Sequence, residues 1–416
     1  MAKLINTVGP PVEGDDRFWD READIEMLSQ RLDEGNHILL VAQRRMGKTS
    51  LLREVARRLQ DRYICLSLDL QKHESAAEVV AALAAATHPH ANVWRRTKAV
   101  FGSIAKAVDE RIDSVQISEV TVQLRAGLAG DDWRAKGDAV FQVLAEAGDV
   151  VLMMDEVPIL INRMLKGEDH TIRTEGRRDA DLFLSWLRDN ALRHSGKVRL
   201  VVSGSIGLTP VLRRTGLSAT ANYLMTYELP PWDESTAIAC LEALARSYGL
   251  DLSPEVCEHM VSRIGCCIPH HVQSYFDLAF RYCKRHGKTI LTKEDAERVY
   301  LQDMLGPRGN TELAHYEERL YMVLGRELGT LAIALLTSTS VKGALQADEA
   351  ASMASEYVPD GSDAEESLRM VLEVLQHDGY VRPTGGGYRF VSRLLCDWWR
   401  DRFATPFSQA RGKEGK

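Results

Sequence analysis

The chain has 416 residues, 45% of them hydrophobic, with a formal net charge of −7. That length predicts two or three domains with ample core, and the negative balance argues against a surface that coats nucleic acid throughout. Seven scattered cysteines (Cys65, Cys240, Cys257, Cys266, Cys267, Cys283 and Cys396) form no C-x-x-C pair and no zinc spacing. Together with Met1 to Asp20, which carry no apolar core of signal-peptide length, they fit a reducing cytoplasm. No run approaches the roughly 18 apolar residues needed to cross a bilayer, so no membrane partner is expected.

Residues 10–20 read as a turn-rich opening, and Arg21 to Leu32 as an amphipathic helix with Ile25, Leu28 and Leu32 on one face. An apolar strand at about 37–42 runs into Ala42-Gln43-Arg44-Arg45-Met46-Gly47-Lys48-Thr49-Ser50, and Leu51 to Leu59 continues as a helix. Strand, Gly-Lys-Thr turn and helix in that order predict a phosphate-binding loop. Backbone N–H groups of Arg45 to Ser50 would surround the β-phosphate. Lys48 would reach the β- and γ-phosphates, and the Thr49 hydroxyl would ligate Mg²⁺. The bound ligand is therefore expected to be a nucleoside triphosphate. Ala42 stands where such loops usually begin with Gly, and Gly47 keeps the close approach of backbone to ligand. An ordinary basic turn is the competing reading of the segment alone.

A second strand is expected at 63–70, then a helix of small residues from Ala76 to Thr87. His88 to Asp132 reads as an insertion, with a basic–aromatic cluster at Trp94 to Lys98 and an alternating stretch from Val115 to Leu124. The cluster is read as a solvated helix face in preference to a nucleic-acid or protein contact. Asp149 to Glu156 then gives a continuous apolar strand, the pattern of burial on both faces in a parallel sheet, ending in two carboxylates. Asp155 would hold Mg²⁺ through water beside Thr49, and Glu156 would act as general base on the attacking water. A strand over Val198 to Val202 ends in Ser203-Gly204-Ser205, with Ser203 the first choice and Ser205 the second for a hydrogen bond to the γ-phosphate or the water. A further strand is expected at 224–229. Strands alternating with helices predict an α/β sheet of mainly parallel strands, whose ligands bind at the carboxyl ends. Lys48, Asp155, Glu156 and Ser203 all fall at such ends.

After residue 230 four helices follow, Glu234–Tyr248, Pro254–Ile264, His271–Lys284 and Lys293–Leu305, with Ser253 and Thr292 as N-caps. In the turn before the third, His270 is a candidate phosphate contact. Residues 307–310 read as a linker. Helices at about 312–326, 330–338, 345–356 and 363–377, two short strands around the Gly-rich turn of Gly379 to Phe390, and a last helix from Leu394 to Phe403 predict a winged helix. The tail from Thr405 is expected to be disordered. Between Thr311 and Ala404 stand nine Lys/Arg against fifteen Asp/Glu, and the helix placed to enter a groove carries Asp363, Glu365, Glu366 and Glu373 against one arginine, Arg369. DNA binding runs on Lys/Arg–phosphate contacts, so this module is read as facing a protein or holding the core inactive.

The runs Phe18-Trp19-Asp20-Arg21-Glu22, Gln43 to Leu52, Asp155-Glu156-Val157-Pro158, Ser203 to Leu208 and Tyr388-Arg389-Phe390…Trp398-Trp399 resemble the archaeal-type P-loop ATPases. These are AAA+-related signal-transduction (STAND) ATPases, similar in layout to origin-recognition initiators. The resemblance covers residues 10–404. It implies an ATPase core (1–230, with the insertion at about 88–132), a helical lid (231–306) and a winged-helix domain (307–404), using ATP/ADP and Mg. It implies that Phe18 and Arg21 lie by the adenine, and that the ATP and ADP states position lid and winged helix differently. His270 occupies the lid's usual arginine place, and Arg213 and Arg214 are candidate arginine fingers towards a neighbouring subunit. The expected function is an ATP-hydrolysing molecular switch that signals to a partner protein or to further copies of itself. A DNA-associated loader or initiator, and a nucleotide-bound scaffold with negligible turnover, are the competing readings.

Overall fold

A computed structural model describes residues 3–102, 117–126, 128, 132–166, 172–358 and 363–404. The chain divides into two compact units, one of residues 21–42 and 51–229, the other of 1–20, 43–50 and 230–416.

The first unit is built on a five-stranded parallel sheet of order β2-β3-β4-β1-β5. Its strands are β1 (His37–Val41), β2 (Ile64–Asp69), β3 (Val150–Asp155), β4 (Val198–Ser203) and β5 (Leu224–Glu228). All five follow the expected positions to within a residue. The three central strands are buried nearly end to end, which is why they read as unbroken apolar runs; edge strands β2 and β5 alternate. The register sets Leu40 beside Ser203 and Met154 beside Val202, so β1, β3 and β4 end level on one edge. The helix Glu22–Asp33 buries Ile25, Leu28 and Leu32, as its periodicity requires.

Helices Asp132–Ala147 and Thr174–Arg193 meet around Trp186, with Trp133, Phe141 and Phe183 at ring-centre distances of 5.3, 5.5 and 5.9 Å. Gly137 permits this packing, because a Cβ there would lie 2.4 Å from the indole. Two expectations change in the insertion. The alternating stretch is helical over Ile117–Ala126, its residues 115 and 116 lying outside the described ones. Trp94 is buried, with the Lys98 ammonium 5.6 Å from its ring centre and Arg96 paired with Glu146, so the cluster presents no open aromatic face.

The second unit carries the lid helices Glu234–Tyr248, Pro254–Ile264, Pro269–Arg285 and Lys293–Val299. Ser253 and Thr292 cap theirs as expected, accepting from the N–H groups of Val256 and Asp295. Residues 307–310, expected as a linker, instead begin the helical run Pro307–Lys342. Pro at the first turn removes an N–H that has no helical partner, so it starts the helix. The run breaks at Gly325 (φ 80, ψ −176), a little before the expected gap at 327–329. Thr311–Lys342 is also long and apolar enough to cross a membrane, contrary to expectation; here it buries Leu331, Ala332, Leu335 and Leu336.

Helices Ala347–Tyr357 and Ala364–His377, and a small sheet of β8 (Leu345–Gln346), β10 (Gly387–Phe390) and β9 (Val381–Thr384), complete the winged helix; β6 (Asp251–Leu252) and β7 (Ile290–Leu291) pair within the lid. Tyr380, Trp398 and Trp399 fill the winged-helix core, and the Tyr380 hydroxyl donates to Tyr316 O at 2.7 Å. Lid and winged helix are joined by Tyr300 OH donating to Asp397 (3.0 Å), by Ser392 Oγ donating to Ile264 O (3.3 Å), and by the Gly265 turn against Arg393. The expected disordered tail, 405–416, lies outside the described residues.

Candidate functional site: a phosphate loop and an acidic strand edge

The loop leaves β1 through Ala42 and closes at Lys48, the first residue of the helix Lys48–Leu59. Its left-handed residues are Arg45 (φ 70) and Gly47 (φ 86). Ala42 is not one of them, so the replaced first glycine puts no side chain under backbone strain. Left-handed turns of this kind direct successive N–H groups into one concavity, a nest for an anion. A Cβ at Gly47 would meet nothing within 4 Å, which leaves open space above the loop. The helix has no acidic residue in its first turn, so its positive dipole end is not offset there. Lys48 is buried and its Nζ donates to Gln43 O at 3.2 Å, folding the ammonium over the loop. Ser50 Oγ accepts from Val12 N at 3.0 Å, which ties the N-terminal segment to the loop.

The loop also rests on the winged helix. Gly379 (φ 75) lies against the end of the Gln43 side chain: a Cβ there would come within 1.9 Å of Gln43 Cδ, and the glutamine would have to swing aside. His270 Nε2 lies 2.8 Å from Glu312, and the charge of Arg45 reaches both Glu312 and His271. The His270 ring is therefore engaged with a carboxylate. Burial, then the neighbouring His270 and Arg45, push the His271 imidazole down to about 3, with Glu312 opposing. The unfolded chain takes up this proton near pH 6.5 and the folded one does not. Stability should thus fall on acidification below about pH 6.5, by about 2 kcal/mol at pH 5 from this group. Urea melts of wild type and His271→Gln at pH 7 and 5 check this: the variant should lose that share of the pH dependence.

The acidic edge belongs to the sheet unit. Asp155 ends β3, and Glu156 follows with φ 62, a left-handed N-cap of the helix Val157–Leu165. Asp155 Oδ1 accepts from Ser203 Oγ at 2.6 Å and from Glu156 N at 3.0 Å. Glu156 Oε2 accepts from Ser205 N and Ser205 Oγ, both at 2.9 Å. Each serine thus holds one carboxylate, and Ser203 stands behind Asp155, wholly buried. Between them Gly204 touches Pro158: a Cβ there would lie 2.4 Å from Pro158 Cδ.

Elsewhere in this unit Arg21 (φ 79) is buried and pairs with Asp24 at 3.2 Å. In the helix Leu208–Thr215, Arg213 is exposed and Arg214 half-buried; burial lowers the Arg214 guanidinium, and burial and then Arg214 lower Lys166 to about 8. In the other unit, Phe18 N donates to Gly14 O (2.9 Å) within the turn-rich opening. Nothing in the sequence marks Gly379 and Glu312 as neighbours of the loop residues Gln43 and Arg45. Only the Gly at 204 between two serines carried a local signal, that of a close backbone approach.

The donor set suits a magnesium nucleotide: a nest with a lysine and a threonine hydroxyl at a helix start, and carboxylates that bind hard cations through oxygen. Among the described residues, the four non-glycine residues with positive φ are Asp20, Arg21, Arg45 and Glu156. All four fall within the motifs read from the sequence for nucleotide binding. Such strained positions gather at functional sites.

No family model matches the chain, and neither does any curated protein. Solved structures do. A Walker-type ATPase of Pyrococcus abyssi is similar over 95% of this chain and 99% of its own, at 16% identity and a TM-score of 0.59. The ORC2 protein of Aeropyrum pernix, in ADPNP–ADP complexes, is similar over 94% of this chain and 98% of its own, at 11% identity and a TM-score of 0.50. The fold resembles that of these two proteins: a parallel sheet core, a helical lid and a C-terminal winged helix.

Proposed function

We propose that this chain binds ATP with Mg²⁺, hydrolyses it, and uses the difference between ATP and ADP states to signal to a partner protein. The observation that carries the reading is the pairing of a left-handed Gly-Lys-Thr loop at the end of β1 with an Asp-Glu pair at the end of β3. In support, β1 and β3 both flank β4 and run parallel, so the strands that carry the two motifs end on one edge of the sheet. Lys48 and the loop N–H groups bind the phosphates; Thr49 and Asp155 hold the metal, Asp155 through water. Bound Mg²⁺ supplies charge neutralisation on the phosphate oxygens. Glu156 takes the proton of the attacking water. Phe18 and Arg21 are assigned to the base, His270 to a phosphate contact from the lid, and Arg213, the more exposed of its pair, to contact with a neighbouring copy, with Arg214 behind it. Core, lid and winged helix in this reading meet near residues 230 and 306.

The likeness to an ATPase and to a protein solved with ADPNP and ADP supports nucleotide binding. Two contacts support coupling to the winged helix: Gly379 against Gln43, and Glu312 against His270. ATP titration by calorimetry, with and without Mg²⁺, tests binding. The expected result is one site per chain, tighter with the metal; no heat in either condition would refute it.

A DNA-associated ATPase is the second reading. Arg382 and Arg389 face each other across the wing, both exposed, and like charges so paired favour an anionic partner. Against it, the helix Ala364–His377 is acidic, and Arg369 donates to Glu366 at 2.8 Å. Duplex binding that weakens steeply with salt would favour this second reading.

A further inference from the structure

Ser205 lies two residues beyond the end of β4, yet its backbone N–H and its hydroxyl both donate to one oxygen of Glu156, Oε2, at 2.9 Å each. Two donors on one oxygen fix the rotation of the carboxylate and leave Oε1 to accept a proton. The hold is rigid on both sides. Gly204 presses on the ring of Pro158, where a Cβ would lie 2.4 Å from Cδ and 2.6 Å from Cγ, and a proline ring cannot swing aside. Ser203 Oγ donates to Asp155 Oδ1, which also accepts the Glu156 N–H. The Ser-Gly-Ser turn therefore meets the Asp-Glu-Val-Pro turn at three successive residues. Glu156 holds a left-handed backbone that side chains disfavour, and these contacts keep it there.

We propose that Ser205 is the positioning residue for Glu156, presenting Oε1 to the attacking water. The inference rests on the reading of Glu156 as general base. In the step it serves, the water oxygen bonds to the γ-phosphorus and the bond to the β,γ-bridging oxygen breaks, its electron pair leaving on ADP. The water proton passes to Glu156 Oε1. A general base contributes about 10²–10⁴-fold. Removing one of its two fixed hydrogen bonds, with the backbone donor retained, forfeits part of that.

The test compares Ser205→Ala, Ser205→Thr and Glu156→Gln in the full chain, measuring kcat and KM for ATP and the affinity for ADPNP. Ser205→Ala should lower kcat about tenfold, leaving KM and ADPNP affinity within about twofold, and Ser205→Thr should restore kcat to within about threefold. An unchanged or raised kcat in Ser205→Ala, while Glu156→Gln stops turnover, overturns the positioning role alone. So does a fall in kcat that threonine does not restore. If Glu156→Gln turns over normally, the base assignment fails and the positioning role falls with it.

Discussion

Glu156→Gln is expected to stop ATP turnover while leaving ATP binding intact. The amide has the shape of the carboxylate, and its oxygen can still accept both donors of Ser205, so the left-handed turn at 156 and its contacts with Ser203 and Pro158 stay in place. What is lost is an acceptor for the water's proton. The expected fall in kcat is about 10²–10⁴-fold, the contribution of a general base. KM should change little, because the amide removes an interaction made only in the transition state. Steady-state phosphate release measures the first effect and equilibrium ATP titration the second. Turnover within about twofold of wild type would remove Glu156 from the chemistry.

Lys48→Ala is expected to weaken ATP binding on the order of 100-fold. Lys48 begins the helix Lys48–Leu59, is already buried, and donates from its ammonium to the carbonyl of Gln43 3.2 Å away. Exchanging that carbonyl for phosphate oxygens swaps a neutral acceptor for a doubly charged one. A charged hydrogen bond in a partly buried place contributes about 1.5–3 kcal/mol, which is roughly 10–150-fold. Folding should survive, since alanine is the best helix former and the loop's left-handed residues, Arg45 and Gly47, are untouched. Thermal melts of the unliganded variant check that the loss lies in binding. A variant that melts like wild type and binds ATP equally well would contradict the phosphate-loop reading.

The strands of the sheet were legible because burial on both faces writes itself as unbroken apolar runs, as in Val150–Asp155 and Val198–Ser203. The caps at Ser253 and Thr292 were legible because a side-chain oxygen before a helix has one local task. Other features had no local signal. Pro307 is compatible with a linker and with a helix start alike, and the burial of the helix behind it decides for the helix. Trp94 followed by two arginines looks like a surface until the His88 ring, at 5.3 Å, is seen packed edge-on against it. At the site, the loop and the carboxylate pair could be read from residue order. The division of labour between Ser203 and Ser205 could not, since it depends on how two turns from distant strands lie side by side. Contact of Gly379 with Gln43 spans 336 residues of chain and is invisible to any local pattern.

The nucleotide carried by the protein after loading tests the central claim most directly. Wild type, Glu156→Gln and Lys48→Ala would each be incubated with Mg·ATP, stripped of free nucleotide, denatured, and the released nucleotide separated by ion-exchange chromatography. The account predicts ADP from wild type, ATP from Glu156→Gln, and none from Lys48→Ala. ADP from Glu156→Gln in the wild-type amount, or no nucleotide from any of the three, would contradict it.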